Sequence, residues 1–125
     1  MKYKVIVEAE ISDAPKNHEF AAATIMARHF KADVIFLRPT RYKTPDFKIK
    51  DHVWELKSPM GGSARTIENN MRSARSQSKN IIIDLVRIKL HQNRAIAHTN
   101  YFLSKPNQFR RVLIITKDKR VIEIQ

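Results

Sequence analysis

The chain has 125 residues, of which 42% are hydrophobic, with no cysteine and a formal net charge of +12 at a pI near 10.3. That length holds one domain around a single core, and the lack of cysteine excludes a disulfide framework or a cysteine metal site while fitting a reducing compartment. No apolar run approaches the roughly 18 residues that span a bilayer, so the charge excess points to a polyanionic partner, nucleic acid first and a membrane surface second.

Lys2 to Ile11 alternates like a strand, with Val5, Val7, Ala9 and Ile11 on one side, and lacks the apolar block of a signal peptide. Ser12, Asp13, Ala14 and Pro15 end it and open a helix from about Lys16 to Phe30, with Asp13 as its expected cap. Phe20, Ala23, Ala27 and Phe30 form the expected buried stripe, and Glu19 borders it. By itself Glu19 reads as a first-turn carboxylate favoured by the helix dipole. Ala32 to Leu37 reads as a buried strand. The basic loop after it holds Arg38, Arg41 and Lys43, which can solvate the loop or clamp phosphates, and Tyr42, which can stack on a base or pack on the loop.

The stretch from Thr44 to Pro59 carries the chemistry. Phe47 and Ile49 share one face of a first strand; Val53, Glu55 and Lys57 share one face of a second, with Trp54 and Leu56 on the opposite, core-facing side. A hairpin turning near Lys50 and Asp51 brings Asp46 to the end of the second strand, where Glu55 and Lys57 project. Two carboxylates supply hard oxygen ligands of the kind Mg²⁺ prefers, and a lysine beside them can position water or hold a phosphate oxygen. A Glu-x-Lys pair alone is ordinarily a solvated strand face.

Ser58 to Ser63 contains both glycines, Gly61 and Gly62, and leads to a helix from about Ala64 to Ser78 capped by Ser63. Ile67, Met71 and Ala74 form its apolar stripe; Asn70, Ser73 and Gln77 line a wet face, and Arg65, Arg72 and Arg75 lie elsewhere. The glycine turn before a helix start is a weak signal for a phosphate site. Asn80 to Leu85 reads as a strand buried on both faces, its Asp84 expected to pair with an arginine. Asn93 to Ser104 makes an imperfect helix that Pro106 ends, and Arg111 to Thr116 with Arg120 to Ile124 form a terminal hairpin. The five histidines lack metalloprotease spacing, and no dinucleotide fingerprint, Walker loop or serine-hydrolase elbow is present.

Pro45, Asp46, Glu55, Leu56 and Lys57, in this order, resemble the signature of the PD-(D/E)XK nuclease superfamily. The order helix, strand, strand with Asp46, strand with Glu55 and Lys57, helix, strand matches that superfamily's core. The resemblance implies an α/β fold, a mixed central sheet flanked by helices in α-β-β-β-α-β order, here followed by a C-terminal β-hairpin. It also implies an additional acidic residue from the first core helix, carried over to Glu19, and a polar side chain before the last core strand, carried over to Gln77. The expected catalytic set is therefore Glu19, Asp46, Glu55, Lys57 and Gln77. Asp46, Glu55 and the carbonyl of Leu56 are the expected ligands of a divalent cation, Mg²⁺ first, with Mn²⁺ or Zn²⁺ as alternatives.

Within the superfamily, the wider pattern is similar to the C-terminal nuclease domain of contact-dependent growth inhibition toxins. The resemblance runs from about Glu19 to Ile124 and is carried by Asp33 to Leu37, Trp54 to Pro59, Gln77 to Leu85 and Arg111 to Ile124. It implies a bacterial toxin nuclease acting in the cytoplasm, several relatives cutting transfer RNA, neutralised by a cognate immunity protein. The chain lacks a delivery region, and Met1 fits either an excised domain or a free-standing relative. Transfer RNA is the first expected substrate and DNA the second, with phosphate contacts from Arg38, Arg41, Lys43, Arg65, Arg72 and Arg75. A non-catalytic basic nucleic-acid-binding module is the reading of a different class. Oligomeric state is left open.

Overall fold

A computed structural model describes residues 2–8, 14–39 and 44–125. The elements in chain order are β1 (Val5–Val7), α1 (Asn17–Phe30), β2 (Val34–Phe36), β3 (Phe47–Ile49), β4 (His52–Lys57), α2 (Thr66–Ala74), β5 (Asn80–Asp84), α3 (Gln92–Leu103), β6 (Arg111–Ile115) and β7 (Val121–Glu123). They form a mixed seven-stranded sheet whose spatial order is the chain order. Parallel pairs β1–β2, β4–β5 and β5–β6 each need a crossover, which α1, α2 and α3 supply. The antiparallel pairs β2–β3, β3–β4 and β6–β7 turn back directly. No helix among the described residues is long and apolar enough to cross a membrane.

The period-two alternation of β5 and β6 divides the core. Ile82, Leu113 and Ile115 pack with Ala22, Ala23, Met26 and Ala27 of α1 on one face, joined by Phe47, Trp54 and Leu56. Ile81, Ile83, Val112 and Ile114 pack with Ile67, Met71 and Ala74 of α2 and Ala95 of α3 on the other. Each large aliphatic chain so buried contributes about 1.5–3 kcal/mol relative to exposure. This double coverage accounts for the continuous apolar run of β5.

Several local expectations need correction. Phe20, expected in the buried stripe, is 37% exposed with its ring edge against Phe36, and Met26, which was not expected there, is buried instead. The cause is position: Phe20 lies in the first turn of α1, whereas Ala22, Ala23, Met26 and Ala27 lie over the sheet. Helix α2 is nine residues, shorter than its periodic pattern. Ser63 accepts the Arg65 amide at 3.3 Å in a preceding turn, while Ser78 leaves the helix to donate to the Val53 carbonyl at 3.0 Å.

The glycines serve packing. A Cβ on Gly61 would lie 2.7 Å from Thr66 Oγ1, and the Gly61 carbonyl accepts the amides of Lys89 and Leu90. Asp84 accepts the Val86 amide at 3.0 Å and lies within electrostatic reach of Arg87, as expected, but the Arg87 guanidinium donates to the Ser58 carbonyl and makes no direct ion pair with it. The expected cap Asp13, the strand end at Ala9 to Ile11, Arg41, Tyr42 and Lys43 lie outside the described residues.

Candidate active site

The β3–β4 hairpin pairs Phe47 with Trp54 and Ile49 with His52 around a two-residue turn at Lys50 and Asp51. Asp46, just before β3, closes the open end of this hairpin. Its amide donates to the Trp54 carbonyl at 2.9 Å, and its Oδ2 accepts the Leu56 amide at 2.8 Å. Because Trp54 and Leu56 are committed to the core under α1, alternation turns Glu55 and Lys57 to the α2 side. There Lys57 Nζ lies 3.1 Å from Glu55 Oε2 and donates to Ser73 Oγ of α2 at 3.2 Å. Glu55 is 3% exposed, a depth that a charged residue tolerates only when paired.

The electrostatics follow from that burial. Desolvation, then the neighbouring charge of Asp46, pushes the Glu55 carboxyl up to about 8. Asp46 is also raised, chiefly by desolvation, against the lowering effect of the Leu56 amide. The two carboxyls face each other closely enough to share a proton. With both ionised, Glu55 Oε1 is a buried oxygen without a hydrogen-bond donor, and Gln77 Oε1 is likewise buried and unpartnered.

This donor set fits a hard cation. Two facing carboxylates that repel one another, with further buried oxygens lacking donors, are what Mg²⁺ or Mn²⁺ would neutralise; Mg²⁺ is ordinarily held by one or two carboxylates and keeps several waters. Among the described residues no group of three or more His, Cys, Asp and Glu is placed to hold a metal ion, so backbone carbonyls and water would complete the shell. Zn²⁺, which favours nitrogen and sulfur donors, fits this oxygen set less well.

Glu19 sits where its charge raises the Asp46 pKa, yet its Oε1 accepts the Lys16 amide at 2.8 Å and so caps its own helix. Arg38 also borders the hairpin, since the Leu37 amide donates to the Asp46 carbonyl. The Arg38 guanidinium, however, donates twice to the Glu8 carbonyl at 3.2 Å. Arg65 is exposed at the start of α2, and Arg72 pairs with Glu68 at 2.8 Å. Arg72 and Arg75 line a cleft against α3, on the flank of α2 opposite Ser73. Ser73 was expected only on a wet helix face; its place between Asn70 and Gln77 was the available signal for its contact with Lys57.

Two comparisons bear on this geometry. The family model described as the contact-dependent growth inhibition CdiA C-terminal domain matches residues 43–121, a span containing Asp46, Glu55, Lys57 and Gln77. The fold is similar to a chain of the "CdiA-CT/CdiI toxin and immunity complex from Burkholderia pseudomallei", with a TM-score of 0.67, 19% identity and 98% of each chain covered. No curated protein matches the sequence.

Proposed function

The chain belongs to the contact-dependent growth inhibition CdiA C-terminal domain family, and from that premise we propose that it is a toxin domain with metal-dependent endonuclease activity. In this reading the β3–β4 hairpin and α2 are parts of a PD-(D/E)XK core, and the substrate is RNA, transfer RNA first. The observation that carries it is the pair Asp46 and Glu55, both held above their ordinary pKa, with the Lys57 ammonium 3.1 Å from Glu55. A purely structural carboxylate in that position would be costly and unrewarded.

Asp46, Glu55 and the Leu56 carbonyl would hold the divalent ion, with Gln77 beside them. When bound, such an ion polarises a phosphoryl oxygen and lowers the pKa of water. The chain's own residues do the rest. The Leu56 amide fixes the Asp46 carboxylate, and Ser73 Oγ holds Lys57 Nζ on the α2 side. Lys57 is thereby placed to orient a water or to stabilise charge building on the phosphate. Arg65 and Arg38 supply cationic surface on either side of the hairpin for the phosphate backbone.

Water as the nucleophile needs no 2′-hydroxyl, so DNA is the alternative substrate of the same site. A non-catalytic basic module is the other reading, favoured by the net charge of +12. The structural relative is described as a toxin and immunity complex, which supports a cognate immunity protein for this chain, and the family match supports delivery into a target cell by a parent protein. Incubating the purified chain with total RNA and with plasmid DNA, in Mg²⁺, in Mn²⁺ and in chelator, tests the reading. RNA cleavage that chelator stops supports it; cleavage of neither polymer with any metal overturns it in favour of the binding module.

A further inference from the structure

Helix α2 presents three flanks. Ile67, Met71 and Ala74 face the core, and Ser73 meets Lys57 on one side of that stripe. On the other side, Glu68, Arg72 and Arg75 stand at i, i+4 and i+7 and face α3 across a cleft of about 420 Å³. The opposite wall is a second periodic set, His98, Tyr101 and Lys105. This volume falls within the range of about 300–1,000 Å³ typical of small-ligand sites.

The cleft's chemistry is specific. Tyr101 is 66% exposed, the most exposed large hydrophobic side chain among the described residues, and Lys105 Nζ lies 4.7 Å from its ring centroid. A ring left open beside cations is a stacking platform rather than core. His98 lines the cleft on the α3 side, and its Nδ1 is buried with no hydrogen-bond partner. The Glu68 ion pair holds the Arg72 guanidinium along the cleft wall at 2.8 Å, and Arg75 stands one turn on.

We propose that this α2–α3 cleft is a second binding site, taking one nucleotide of the same strand whose phosphodiester lies at Asp46 and Glu55. The base stacks on Tyr101 with a polar edge at His98, and its phosphate meets Arg72, Arg75 and Lys105. The proposal rests on the nuclease reading above. Its geometry is a strand crossing one helix diameter, about 10–12 Å, a span of a few nucleotides. A cationic track interrupted by an aromatic ring is how single strands are held without sequence readout.

The test is binding in chelator, where no cleavage interferes, of a labelled eight-nucleotide single-stranded RNA. Tyr101→Ala should weaken binding by about 5- to 150-fold, the equivalent of one lost base stack, while leaving the salt slope unchanged because no charge is removed. Tyr101→Phe should retain parent affinity. One abasic position in the RNA should cost the parent a similar factor and cost Tyr101→Ala nothing further. A free mononucleotide should bind far more weakly than the oligonucleotide; equal affinity would overturn the flanking-nucleotide role. If the parent binds and Tyr101→Ala binds equally well, the cleft serves another ligand, such as an acidic protein, and the proposal fails alone. If the parent binds no oligonucleotide, the cleft proposal fails, and the nuclease reading is decided separately by the cleavage of total RNA and plasmid DNA.

Discussion

Asp46 Oδ2 accepts the backbone amide of Leu56 at 2.8 Å, so the carboxylate that precedes β3 is pinned to the strand that carries Glu55. The bond bridges ten residues of chain and sets the spacing of the two acids before any ligand arrives. Burial raises both carboxyls, and the charge of Asp46 raises Glu55 further, while the hydrogen bond from Glu55 lowers Asp46. The Lys57 ammonium offsets part of the burial cost, lowering both carboxyls.

Without metal, stability should fall as pH rises. Glu55 moves from 4.5 in the unfolded chain to about 8 in the folded one, and Asp46 shifts in the same direction. Between those values the folded state holds a proton that the unfolded state has lost. The unfolding free energy therefore has a negative slope with pH. This contribution is fully present below about pH 4.5 and is lost as pH passes through about 8. Thermal melts in chelator between pH 5.5 and 9 should show a declining Tm, and Glu55→Gln should flatten the decline. Added Mg²⁺ should raise Tm most at the alkaline end, where the carboxylates are ionised and metal binding releases no proton. A Tm that climbs with pH in chelator would contradict the shared-proton pair.

Lys57 should matter to turnover more than to affinity. Lys57→Ala is expected to lower kcat by about 10²-fold or more, the scale of one positioned acid, base or electrostatic group, with RNA affinity nearly unchanged. Ser73→Ala, which removes the hydroxyl that receives the ammonium at 3.2 Å, should show a smaller loss in the same direction. If affinity and rate fall in proportion, Lys57 is an ordinary phosphate contact.

Asn80 ties the sheet together at the start of β5. Its Nδ2 donates to the Val53 carbonyl at 3.0 Å and its Oδ1 accepts from Arg111, with the side chain buried. Asn80→Ala leaves the Val53 carbonyl with Ser78 alone and should cost about 1–3 kcal/mol. Chemical denaturation with an unchanged m-value checks it. A loss below about 0.5 kcal/mol would mean that water replaces the amide.

The basic surface should be additive in salt dependence. Arg65→Gln with Arg72→Gln should reduce the slope of log affinity against log salt by about 1.4 for a single strand and about 1.8 for a duplex. Metal affinity should be unaffected. Unaltered slope and affinity would move the nucleic-acid path toward Arg110, Arg111 and Lys119.

The hairpin was legible because it depends on local rules. Alternation placed Trp54 and Leu56 inward, and the turn at Lys50 and Asp51 fixed the register that carries Asp46 to Leu56. The continuous run of β5 also announced its two covered faces. What stayed hidden were decisions made by tertiary contact. The end of α2 is set by the demand of the Val53 carbonyl for Ser78 and Asn80, which no periodicity reports. The α3 pattern looked imperfect because Ala95 and Thr99 are its fully buried positions, and they are small or polar. Glu19 showed both of its aspects in sequence, cap and acid; the structure gives one of its oxygens to the cap and its charge to Asp46. The α2–α3 cleft needed two helices to be brought side by side, a pairing that neither helix encodes alone.

The most direct measurement is cleavage of total transfer RNA by the purified chain and by its Glu55→Gln and Asp46→Asn variants, each followed with Mg²⁺ and with chelator. The parent should fragment transfer RNA in Mg²⁺ only, and neither folded variant should do so under any condition. Cleavage that survives chelation, or that Glu55→Gln performs at the parent's rate, would contradict the metal-dependent nuclease reading.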